Sequence, residues 1–178
     1  MNLIKNTSKS IFFFFIFTLA AASLFAQEVG FMGINIGMSR EEVLTSADEN
    51  EIIEVPRNRD VEFFPVEDRK ILTFSIKPEV PHIYLQFYDD RLYALTLIFN
   101  EKHIDYYTLI NRLENRYGAY TELTPEWRKW AKDEVEIKAE KPAVVKYLAL
   151  KEFLKAAGFK VQDEDIEGKR KDRILDGL

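Results

Sequence analysis

Apolar residues recur along this chain with two different periods, and each change of period marks an element. "GFMGINIGMSREEVLTSADEN" opens with Phe31, Ile34 and Ile36 set among glycines, which predicts a short extended lead-in. Ser39 then stands as a helix N-cap, with Glu42 three residues on to close a capping box. Met38 and Val43 take the positions of a hydrophobic staple, and Glu41 and Glu42 suit the positive end of a helix. Val43, Leu44 and Ala47 form an inward stripe, so a helix of about three turns follows a corner at Gly37. Beyond residue 70 the period falls to two. Leu72, Phe74 and Ile76 alternate with Thr73 and Ser75. Ile83, Leu85 and Phe87 share one side of "HIYLQFY", and Leu95, Leu97 and Phe99 do the same after a turn at Asp89-Asp90-Arg91. Three alternating runs in succession predict an antiparallel meander with one dry face.

The pattern then repeats. Tyr106, Leu109, Ile110, Leu113 and Tyr117 recur at helical spacing between Ile104 and Tyr117. Gly118 is placed to stop that helix, and Arg112 and Arg116 lie near its negative end. "EWRKWAK" and "VEIKAE" read as strands, the second with Val135, Ile137 and Ala139 alternating with charge. Ala143–Leu148 reads as a further strand and Leu150–Ala157 as a short helix stopped by Gly158. A single helix from Pro142 to Ala157 fits the same residues, because Ala, Leu, Lys and Glu all favour one. Residues 49–70 read either as two short edge strands, Ile52–Val55 and Val61–Phe64, around a turn, or as a surface loop. A helix followed by three strands, twice over, predicts an α+β two-layer fold. Its antiparallel sheet is covered by helices on one face and built from tandem helix-plus-three-strand units.

The first 26 residues stand apart from this scheme. Lys5 and Lys9 precede the run "IFFFFIFTLAAASLF", and Ala26 lies before a plausible cut, which is the make-up of a signal peptide. The run is short for a span of roughly 20 residues; an uncleaved anchor in the cytoplasmic membrane is the alternative. Residues 27–160 are then one α+β domain, and 161–178 a charged tail. The reading places the protein outside the cytoplasm, in a periplasm or secreted. The chain has no cysteine, so packing without disulfides stabilises it, and thiolate chemistry and lipid attachment through a thiol are excluded. A net charge of −5 argues against broad binding to nucleic acid.

Chemical motifs are scarce. No nucleophile elbow, zinc-binding helix or phosphate loop occurs, and no catalytic residue, metal ligand or cofactor is expected. His82 follows Pro81 at a strand start and His103 lies near a helix start, with Asp105 two residues on; both histidines occupy ordinary surface positions. "DEDIEG" begins a calcium-loop count at Asp163, Asp165, Glu167 and Gly168, but Ile174 takes the place of the bidentate glutamate. Trp127 and Trp130 lie three apart on a strand, so one faces the core and the other offers a binding anchor. Tyr84, Tyr88, Phe63 and Phe64 complete the candidate protein-binding residues.

"NIGMSREEV" followed by "IYLQFYDDRLYALTLIF" resembles the helix-then-hairpin unit of BamE/SmpA-like proteins and the tandem α/β modules of beta-lactamase-inhibitor-like proteins. Gly37, Met38, Ser39 and Val43 match the helix opening; Tyr88, Asp89, Asp90 and Leu92 approximate the hairpin, with Arg91 where glycine is usual. The resemblance implies a small envelope protein that works by binding another protein. The lipid-attachment cysteine of those lipoproteins has no counterpart here. The expected function is therefore a non-catalytic exported module that binds an envelope protein in assembly or maintenance. A small hydrolase using histidine and carboxylates, or a carrier of a small ligand or lipid, are the alternatives.

Overall fold

A computed structural model describes residues 28–56 and 70–158. The leader, Val61–Phe64 with both phenylalanines, and the tail with "DEDIEG" lie outside the described residues.

The chain opens with Gly30–Phe31 (β1) and Ile34–Asn35 (β2), a minimal antiparallel hairpin. The corner that follows is built as its residues demand. Gly37 has φ +91°, in the left-handed region where glycine carries no steric cost. Ser39 Oγ accepts from the backbone N–H of Glu42 at 3.3 Å, and Glu42 Oε2 accepts from that of Ser39 at 2.7 Å. This closes the capping box of Arg40–Asp48 (α1). Val43 is fully buried, and Met38 packs beside the same cluster.

Among the described residues seven strands make the main sheet: Lys70–Ile76 (β3), Val80–Tyr88 (β4), Arg91–Ile98 (β5), Glu122–Leu123 (β6), Trp127–Lys132 (β7), Val135–Glu140 (β8) and Val144–Ala149 (β9). Their spatial order is β3-β4-β5-β9-β8-β7-β6, antiparallel throughout. Two meanders thus meet through their last strands, and the β5–β9 pair is the seam. Asp89-Asp90 and Asp133-Glu134 close the β4–β5 and β7–β8 hairpins with positive φ at both central residues. Such turns match the right-handed strand twist. At one end of the seam, Phe99 N–H donates to Ala143 O at 2.9 Å and Asn100 N–H to Glu79 O at 2.8 Å. The turn of each meander is thereby tied to the end of β5.

Tyr106–Tyr117 (α2) begins at Asp105, whose carboxylate accepts from the Thr108 N–H at 3.0 Å. It buries Leu109, Ile110 and Leu113, while α1 buries Val43 and Ala47. Both helices cover the same face of the sheet, over one core in which Ile83, Leu85, Leu95 and Ile137 are fully buried. Each such side chain contributes roughly 1.5–3 kcal/mol over its exposed state. The α+β architecture with a helix before each meander is the one the apolar pattern predicts.

Two ambiguities resolve. Residues 144–149 form a strand, and Leu150–Ala156 (α3) is the short helix. The strand forms because β9 lies between β5 and β8, where alternation buries Val145 and Tyr147 against both neighbours; helix propensity yields to that pairing. Around Ile52–Val55 there is no strand, only an isolated bridge from Glu54 to Ser75. The loop reading holds over residues 49–56, where turns carry Ile53 into the core. A bulge between Gln86 and Phe87 sets Tyr93 beside Ala94, and both are buried on the reverse face. There α3 lies over them, with Phe153 6.4 Å from the Tyr93 ring.

Candidate functional site

Among the described residues, the face of the sheet away from α1 and α2 is covered by a helix at one end only. Strand alternation and register arrange its remaining residues in rows across the strands. One row runs His82, Ile98, Val144, Glu140 and Trp127. The next runs Tyr84, Thr96, Lys146, Lys138, Lys129 and Glu122. The first is largely apolar or aromatic and the second largely charged. Ile98, Val144, Tyr84 and Trp127 are each half-buried.

Three lysines stand directly opposite one another in the second row, an arrangement that repels. Glutamates on either side compensate. Glu140 accepts from Lys146 Nζ at 2.6 Å and pairs with Lys138 at 2.9 Å. Lys129 is held between Glu122 and Glu136, the latter at 3.4 Å. Burial opposes ionisation of Glu140, but its two lysine partners outweigh it and hold the carboxyl below the usual glutamate range. Burial likewise works against the Lys129 charge, and the two glutamates more than restore it, raising its pKa. Exposed pairs of this kind stabilise a fold little. Their effect is to fix side-chain positions, leaving a neutral, ordered strip beside the apolar row.

Trp127 lies at the end of that row with Lys138 Nζ 4.6 Å from its ring centroid. Trp130 faces the other way, is 1% exposed, and donates its indole N–H to Gly118 O at 2.9 Å. The two tryptophans therefore divide between the open face and the core as their spacing requires. Tyr84 stacks on His82, with ring centroids 5.9 Å apart and planes at 11°. Tyr88 is drawn toward the cluster beneath α3, so it borders the open area rather than occupying its centre. Phe63 and Phe64 lie outside the described residues. The structure therefore brings Tyr84 and Trp127 onto one face, sets Tyr88 at its margin, and removes Trp130 from it.

His82 and His103 are exposed, and among the described residues no three His, Asp or Glu side chains are grouped to hold a metal. An open depression at the start of α2 is lined by Glu101, Asp105, Tyr106, Tyr107, Glu126 and Lys141, with Tyr107 68% exposed. The charged strip is a feature that sequence reading misses. Alternating Lys and Glu in "VEIKAE" hints at it, but only the register of four strands shows which charges meet.

Among the described residues no helix is long and apolar enough to cross a membrane. No curated protein and no solved structure matches the chain. Residues 29–158, almost the whole span from the first hairpin to the end of α3, match the TP0088 domain model, and the chain belongs to the TP0088 domain family.

Proposed function

We propose that this protein is a non-catalytic binding module, exported from the cytoplasm, that recognises an envelope protein through the open face of its sheet. One observation carries the reading. The core beneath α1 and α2 is complete on its own side, yet the reverse face keeps a half-exposed row from Tyr84 and His82 through Ile98 and Val144 to Trp127. Aromatic anchors beside a polar strip are the make-up of protein-recognition surfaces. The ordered Lys–Glu strip supplies a rim already neutralised, which lowers the desolvation cost of covering it. The signal-like leader supports export.

The test is crosslinking and recovery of partners from native envelopes, with the mass of the mature N-terminus read from the same preparation. Trp127→Ala and Tyr84→Ala are expected to lose the wild-type partner while keeping the wild-type circular dichroism spectrum. A His82→Ala, His103→Ala double variant should lose at most the stacking on Tyr84. Recovery of the same proteins with all three variants removes the reading.

A further inference from the structure

Arg128 is a cation that the fold half-buries and leaves, among the described residues, without an ion-pair partner. It lies on β7 opposite Ala139, on the side of the sheet that α2 covers. Its guanidinium carbon stands 5.2 Å from the Tyr120 ring centroid and 6.0 Å from that of Tyr106. Among the described residues no carboxylate pairs with it, and its Nε is buried without a hydrogen-bond partner. Lys129, Lys138 and Lys146 on the reverse face, by contrast, all have glutamate partners.

Two ring faces offset part of the cost of burying a guanidinium. They leave the outer Nη N–H groups, which lie in the plane of the group and match a carboxylate two at a time, without a protein partner among the described residues. We propose that Arg128, held between Tyr106 and Tyr120, receives the carboxylate of an aspartate or glutamate side chain on a partner protein. Lys141, whose Nζ is 5.8 Å from the Tyr106 centroid, adds a second positive charge nearby. Glu101, Asp105 and Glu126 line the adjoining depression. Their charge opposes an extended polyanion more than a single carboxylate held at Arg128. The proposal does not depend on the open face of the sheet binding anything.

The test uses the side-chain Nε–Hε resonance of Arg128 in the nitrogen-15-labelled full chain. The probe is a blocked Gly-Glu-Gly tripeptide, and its Gly-Gln-Gly analogue at matched sodium chloride is the control. A saturable shift in the millimolar range is expected with the glutamate probe and none with the glutamine one. Arg128→Lys keeps the charge and loses the planar fork, so affinity, read for both proteins from the backbone amide resonance of Lys129, should fall roughly tenfold. The Trp130 indole resonance reports whether that variant is folded; if it is not, the glutamate–glutamine comparison on the wild type decides alone. Trp127→Ala should titrate as wild type, which separates this site from the open face. Equal shifts with both probes, a shift reproduced by sodium chloride alone, or unchanged affinity in folded Arg128→Lys would overturn the proposal.

Discussion

Replacing Ser39 by alanine removes the acceptor for the Glu42 N–H, and a loss of about 1 kcal/mol is expected in urea unfolding. Glu42 is the other half of the same device. Hydrogen bonds from the Ser39 backbone, then from its hydroxyl, hold its carboxyl below the ordinary value. A depressed pKa means stability that is present above the ordinary glutamate value, about 4.3, and lost as pH falls through the folded one. Glu42→Gln should therefore flatten the acid limb of the stability curve. Tyr147 carries the opposite sign. Burial, reinforced by the neighbouring Tyr117, pushes its phenol well above the usual tyrosine value. The neutral form is the one the core accepts, so its contribution is present below about pH 10 and lost as pH rises beyond. Tyr147→Phe is expected to keep more of its neutral-pH stability at alkaline pH than wild type does, measured by unfolding at pH 8 and above.

At the scale of elements, β7 shows how one strand serves two purposes. Trp130→Ala should cost about 3–5 kcal/mol, because it empties a core position and leaves Gly118 O without its indole donor. Trp127→Ala should cost about 1 kcal/mol or less, since that ring is half-exposed and packs against a lysine. Paired urea titrations of the two variants check both figures. Much of this layout is legible in the residues themselves: Ser39 with Glu42 starts a helix, Gly118 ends one, and Ile83, Leu85 and Phe87 show which side of β4 is dry. Val144–Ala149 is not, because its alanine and leucine fit a helix as well as a strand. What decides is a neighbour on each side, one of them some 50 residues away in sequence at β5. The same distance hides the candidate site. The spacing of Trp127 and Trp130 shows that one of them is exposed but not which, and the face that Trp127 shares with Tyr84 follows from a seam that no local pattern encodes. Strand alternation puts Arg128 on the same side of β7 as Trp130, but its place beside Tyr106 and Tyr120 follows only from the fold.

Across the whole molecule, one continuous core runs beneath both helices, and the two meanders have no separate interiors. Unfolding should accordingly be a single transition. Both tryptophans lie in the second meander, so their emission follows that half alone, whereas far-ultraviolet circular dichroism follows both. Coincident urea curves by the two probes are expected; separated midpoints would mean that the halves melt independently. The seam has one more implication. The link from the first meander to α2 passes through Glu101, Lys102 and His103, all exposed at one end of the sheet. Nearly every tie between the halves is therefore non-covalent: the β5–β9 ladder, the shared core, and the Arg116 guanidinium on Glu28 O at 3.1 Å. A chain severed at Lys102 and supplied as two polypeptides should reassemble into one native particle, recognisable by the return of the blue-shifted emission of Trp130.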